Sequence, residues 1–102
     1  MAKELPSLSY YIGDTRPISL TFTENGVALA GPTAIVLNVY QDDGNDTAID
    51  TGTGADQTGG VWSFTFGDSS VWPEGNHRYN VVATYADGTR TLGRGSFRAL
   101  SR

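Results

Sequence analysis

Three features of the sequence predict an all-β fold, an antiparallel β-sandwich of about six to eight strands. Apolar and polar residues alternate with a period of two, tight-turn dipeptides separate the alternating runs, and no helical period occurs anywhere. The alternation is clearest where Ile18, Leu20 and Phe22 interleave with Ser19, Thr21 and Thr23, and where Trp62, Phe64 and Phe66 interleave with Val61, Ser63 and Thr65. The turn dipeptides are Asn25-Gly26 and Asp87-Gly88. Both favour positive backbone φ values and hence tight hairpins.

In chain order, Met1 to Ser9 reads as an irregular, flexible arm broken by Pro6, and residues 10–102 as the single sandwich domain. Leu8, Tyr10 and Ile12 either begin a short strand or fasten the arm to a neighbouring subunit. Gly13-Asp14 is a turn signal, followed by the Ile18 to Thr23 strand and the Asn25-Gly26 hairpin. From Thr33 to Tyr40, Ile35, Leu37 and Val39 are expected to face the core and Val36, Asn38 and Tyr40 the other side. Apolar groups on both faces suggest an interior strand or one covered by a partner. Gln41 to Asn45 reads as a polar loop, Thr47 to Thr51 as a short edge strand, and Gly52 to Gly60 as an exposed connection. After the aromatic strand, Asp68 is placed to cap a single turn, with Val71 or Trp72 packing inward before Pro73 ends it. The hairpin from Gly75 to Ala99 organises the whole, with Tyr79, Val81, Ala83 and Tyr85 on one face and Leu92 and Phe97 as anchors on its return strand.

The 102 residues carry seven basic and eleven acidic side chains, a net charge of -4. Such a surface exerts no broad pull on nucleic acid or anionic lipid, so neither a nucleic-acid nor a membrane partner is expected. No stretch approaches the roughly 20 apolar residues of a membrane span, and Met1 to Ser9 lacks the apolar core of a secretion signal. Arg90, Arg94, Arg98 and Arg102 form a basic run opposite an acidic middle from Asp42 to Asp56. This reads as ordinary solvated charge, with complementary ends for docking as the sharper alternative.

Motifs for chemistry are sparse. His77 is the sole histidine, no Gly-x-Ser-x-Gly turn accompanies it, and it reads as a surface or interface group, with no enzymatic role. Asp42, Asp43, Asn45, Asp46 and Asp50 concentrate oxygen ligands suited to calcium, but outside EF-hand register they read as a solvated turn, and no cofactor is implied. Asn45-Asp46-Thr47 matches a glycosylation sequon only formally without a secretion signal. Gly93 and Gly95 flank Arg94 without a following helix, so no phosphate loop is expected. Tyr10, Tyr11, Tyr40 and Trp72 are candidates for a glycan platform, with core packing or a subunit contact the more ordinary assignment.

An ordered series of segments carries a resemblance. It comprises Gly13-Asp14-Thr15, Ile18-Ser19-Leu20-Thr21-Phe22-Thr23, Glu24-Asn25-Gly26, Leu29-Ala30-Gly31 and Thr33-Ala34-Ile35-Val36-Leu37. It continues with Gly60-Val61-Trp62-Ser63-Phe64-Thr65-Phe66, Pro73-Glu74-Gly75, Tyr79-Asn80-Val81 and Tyr85-Ala86-Asp87-Gly88-Thr89-Arg90. Over residues 12–99 the chain resembles the small β-sandwich domains of tailed-phage structural proteins, especially the N-terminal domain of baseplate upper proteins and related tail or head-fibre adaptor modules. The resemblance implies an Ig-like antiparallel β-sandwich and a non-enzymatic virion protein of the tail, baseplate, collar or head decoration. Such a protein is made in the host cytoplasm and acts in particle assembly or fibre attachment as a homo-oligomer, trimer or hexamer, with other virion proteins. The coiled-coil and receptor-platform regions of a full baseplate protein have no counterpart here, and a stand-alone decoration, collar, tail or fibre-anchoring part fits the length equally well. The interface is expected at Leu8, Tyr10, Tyr11, Val36 and Tyr40. Truncating Met1 to Ser9 is expected to weaken association far more than folding. The alternative function is a glycan-binding or adhesion module that meets a host surface glycan.

Overall fold

The Asp87-Gly88 turn sets up the longest pairing in the molecule. In a computed structural model, which describes residues 3–24, 26–29, 31–41 and 48–101, strands β9 (Gly75–Tyr85) and β10 (Gly88–Leu100) run antiparallel with Tyr85 opposite Gly88. The remaining strands are β1 (Lys3–Glu4), β2 (Leu8–Tyr11), β3 (Ile18–Thr21), β4 (Thr23–Glu24), β5 (Val27–Ala28), β6 (Ala34–Gln41), β7 (Ala48–Asp56) and β8 (Val61–Thr65). A 3₁₀ turn at Ser69–Val71 links β8 to β9. The architecture is all-β.

The strands other than β4 and β5 form an eight-stranded sheet in the order β10-β9-β6-β7-β8-β3, with β1 and β2 both laid parallel along the outer edge of β10. Strands β4 and β5 make a small separate ribbon around Gly26, as the hairpin signal predicts; Asn25 itself lies outside the described residues. The sheet curls because β7 serves two partners. Its first part pairs with β6 as far as Thr53, and its last part, Thr53 to Asp56, pairs with β8.

Of the connection expected from Gly52 to Gly60, Thr53 and Ala55 to Gly59 are exposed, but the segment is not loop throughout. The strand continues through Asp56, and Gly52 and Gly60 are buried. A Cβ on Gly52 would stand 2.9 Å from a ring carbon of Phe66, and one on Gly54 would strike the Ile35 carbonyl oxygen and approach Phe64 to 3.0 Å. Here glycine marks close approach of backbone to a folded-over aromatic layer. The expected edge strand is present over Ala48 to Thr51, which pairs with β6 alone, and β7 becomes interior only from Thr53, where β8 joins it.

The inner face is where the alternating residues meet. Leu20, Phe22, Ile35, Leu37, Val39, Trp62, Phe64, Tyr79, Val81, Ala83, Phe97 and Ala99 are all buried there, as the period-two pattern predicts. Burying each large apolar side chain contributes about 1.5–3 kcal/mol. Trp72 closes the cluster, its ring centroid 5.0 Å from Phe66 and 5.5 Å from both Tyr10 and Phe97. Asp68 caps the turn that delivers it, accepting a hydrogen bond from the Ser70 backbone N–H at 3.0 Å. Of the two residues expected to pack inward, Trp72 does so while Val71 is 74% exposed.

The arm departs from the sequence expectation. Instead of standing apart, residues 3–9 run along β10, with Lys3 opposite Gly93 and Leu8 opposite Phe97. The Leu5 N–H donates to the Arg94 carbonyl at 2.8 Å, and the Tyr79 hydroxyl donates to the Pro6 carbonyl at 2.6 Å. Gly95 makes room for this crossing, since a Cβ there would lie 2.9 Å from the Leu5 carbonyl oxygen. An edge strand exposes unpaired N–H and C=O groups, and the arm satisfies those of β10.

Candidate functional site

The sheet has two faces, and the outer one carries the side chains not consumed by the core. Register places Val36 of β6 opposite Val82 of β9, Asn38 opposite Asn80, and Tyr40 opposite Arg78. Further across, Asn80, Arg78 and Asn76 stand opposite Arg94, Ser96 and Arg98 of β10. Paired residues share a face, so these form one continuous surface.

Its middle is tied by a hydrogen-bonded ladder across three strands. The Thr51 hydroxyl donates to Asn38 Oδ1 at 2.9 Å, and Asn38 Nδ2 donates to Asn80 Oδ1 at 3.1 Å. The Arg78 guanidinium lies over the Tyr40 ring, 4.8 Å from its centroid. Around Ser96 and Gly95 the surface is hollow. One depression of about 260 Å³ is lined by Arg78, Tyr79, Asn80, Arg94 and Gly95. The other, of about 380 Å³, is lined by Ser7, Leu8, Asn76, His77, Ser96, Phe97 and Arg98.

The five residues expected at an interface divide between the faces. Tyr11, Val36 and Tyr40 belong to the outer face, Tyr11 being 43% exposed and the other two half-buried. Leu8 packs against the core, and Tyr10 is 1% exposed within it, its hydroxyl donating to the Arg16 carbonyl at 2.6 Å. Tyr10 is therefore a core residue and not a surface contact. Burial, with the Asp14 charge adding to it and Arg16 opposing, raises its phenol pKa. The glycan platform also divides, because Trp72 is in the core with Tyr10 while Tyr11 and Tyr40 face outward.

His77, expected as a surface or interface group, is 5% exposed within the single chain. Its Nε2 lies 2.7 Å from the Pro73 carbonyl oxygen and its Nδ1 is buried without a protein partner. The ring locks the entry of β9 to the loop that precedes it. Asp50 is likewise occupied: Oδ2 accepts from the Trp72 indole N–H at 2.9 Å and Oδ1 from the Thr51 backbone N–H at 2.7 Å. The other oxygen-rich residues, 42–46, and the sequon lie outside the described residues. Among the described residues no group of three or more His, Cys, Asp or Glu is placed to hold a metal.

Sequence reasoning assigned Asn38 and Asn80 to no site, and placed Arg94 and Arg98 only within a four-arginine basic run offered for docking. The alternation on β9 was a usable signal, but the match between β9 and β10 was not. A bulge between Thr91 and Gly93 shifts the phase of β10, so Arg90 pairs with inward-phased Ala83 while Arg94 pairs with outward Asn80. The evenly spaced arginines thus divide, and Arg90 stacks instead on Tyr85 at 4.0 Å.

No protein-family model matches the chain, and no curated protein matches it. Solved structures are similar in fold. One is an engineered protein, with a TM-score of 0.53 and 18% identity over 92% of this chain. The present chain covers 18% of that protein's length. Another is an uncharacterised protein from Bacillus anthracis str. Ames, with a TM-score of 0.51 and 17% identity over 99% of this chain and 85% of that one. At such identities the likeness concerns the fold alone.

Proposed function

We propose that the chain is a non-enzymatic structural protein of a phage virion, a tail, baseplate, collar or head-decoration component, whose outer sheet face makes the assembly contact. The observation that carries the reading is the half-buried Val36 on the central strand β6, opposite Val82 and framed by the Thr51–Asn38–Asn80 ladder. An apolar centre within a fixed polar frame is the composition of a protein–protein contact. The chain is read as an Ig-like sandwich on the strength of the resemblance, its two layers joined through β6 and β7, which are hydrogen-bonded neighbours in one continuous sheet. The ordered resemblance to phage β-sandwich domains supplies the virion setting, with homo-oligomerisation and other virion proteins as partners.

Sedimentation of the wild type and of Val36→Lys at micromolar concentration tests it. The expected result is an oligomer that the substitution dissociates while the circular dichroism spectrum is retained. A wild-type monomer, or an oligomer indifferent to Val36→Lys, counts against this face as a self-contact. The glycan-binding alternative now rests on Tyr40 and Tyr11, and saccharide titration without heat or spectral change would remove it.

A further inference from the structure

We infer that the hollow on the outer face of β9 and β10 is a docking site for an extended, carboxylate-bearing segment of a partner protein, held at Asn80 with Arg94 and again at Asn76 with Arg98. The inference rests on reading the outer face as an assembly surface and specifies the chemistry of what meets it.

The polarity of the ladder is the first argument. Thr51 donates to Asn38, and Asn38 donates to Asn80 Oδ1, so the Asn80 acceptor is used on the β6 side. That bond leaves the Nδ2 group of the same amide unused, and Asn80 stands opposite Arg94 of β10. An amide N–H₂ and a guanidinium present only donors. Their complement is an oxygen anion, and carboxylate matches the planar fork of arginine.

Shape is the second argument. Depressions of about 260 and 380 Å³ lie on either side of the small Ser96, each with an asparagine opposite an arginine. Arg94 and Arg98 are exposed, and neither forms an ion pair with a described carboxylate. Four residues of strand separate them by about 13 Å. Same-face side chains of an extended peptide recur about every 7 Å, so carboxylates four residues apart reach both pockets. A nucleic-acid strand carries a charge about every 3.4 Å, far denser than two such sites can match. The net charge of -4 also disfavours a long polyanion.

The test is a fluorescence-anisotropy titration of the full chain with a labelled peptide of alternating Glu and Thr, beside its Gln-for-Glu analogue. Saturable binding of the Glu peptide only is expected, weakened about fivefold or more by Arg94→Gln and by Asn80→Asp. Arg90→Gln, which removes the same charge from the other phase of β10, is expected to leave binding unchanged. Amide NMR spectra verify that each variant is folded. Equal weakening by Arg90→Gln and Arg94→Gln would overturn the inference, as would tighter binding of single-stranded DNA or a heparin oligosaccharide. A change in sedimentation of the protein alone on Arg94→Gln would make a second copy the occupant, which also overturns it. Peptide binding that fails while Val36→Lys still dissociates an oligomer sinks this inference and leaves the assembly reading standing. Binding that persists without any oligomer does the reverse for self-assembly.

Discussion

Tyr10 and Asp68 show how single residues fasten irregular segments to the sheet. The Tyr10 hydroxyl holds the Arg16 carbonyl, and Asp68 holds the turn that delivers Trp72 to the core. Tyr10→Phe is expected to cost about 1 kcal/mol by denaturant unfolding, the worth of one hydrogen bond. The phenol pKa is raised in the fold, mainly by burial, so the neutral form is favoured there. Its contribution is complete below about pH 10 and is lost as pH rises through the raised value. Tyr10→Phe should flatten part of the alkaline decline in stability, and an unchanged decline would show that Tyr10 does not contribute to it. Asp68 behaves oppositely. Its carboxyl pKa is lowered by hydrogen bonds from the Ser70 hydroxyl and then the Ser70 backbone N–H. That contribution is present above about pH 4 and drains as pH falls through the lowered value, so Asp68→Asn should make acid unfolding less steep.

At the scale of elements, β7 and the arm carry the sharpest expectations. Gly54→Ala would drive a methyl into the Ile35 carbonyl and the Phe64 ring, and a loss of about 3 kcal/mol is expected. Gly59→Ala, at φ +65° with nothing within 4 Å, should cost only about 1 kcal/mol for its left-handed backbone. Denaturant midpoints that rank the two equally would refute the tight curl at β7. Removing residues 1–7 strips β1 from β10 and leaves the Tyr79 hydroxyl without the Pro6 carbonyl. A fall of about 5–10 °C in the melting temperature is expected, the response of a domain this size to between one and two kcal/mol. An unaltered melt would restore the expectation of an arm dispensable for folding.

For the whole molecule, stability resides in the inner face, and the proposed recognition in the outer. Among the described residues the ion pair is Arg16 with Asp14, at 3.7 Å and with Arg16 largely exposed. Exposed pairs of this kind contribute little and are screened by salt. The melting temperature should therefore move by less than about 3 °C between about 0.05 and 0.5 M sodium chloride. Docking of a carboxylate segment at Arg94 and Arg98 should weaken steeply over the same range. A melt that follows salt as strongly as binding does would place the charges in the fold's own stabilisation.

The sequence by itself determined the fold class and the inner face, because a two-residue period assigns alternate side chains to one side wherever a strand runs without interruption. Ile35, Leu37, Val39, Trp62, Phe64, Tyr79 and Val81 were legible on that basis, as were the hairpins at Gly26 and Gly88. Only the tertiary structure decided the rest. Gly52 and Gly54 read as loop until Phe66 and Phe64 are seen folded against them, since a missing side chain gives no sign of what approaches it. The arm reads as loose because two-residue parallel pairing with β10 leaves almost no local pattern. The candidate site was hidden for a related reason. One extra residue at the β10 bulge reverses which side chains face outward, and only the register with β9 brings Arg94 to Asn80 while turning Arg90 away.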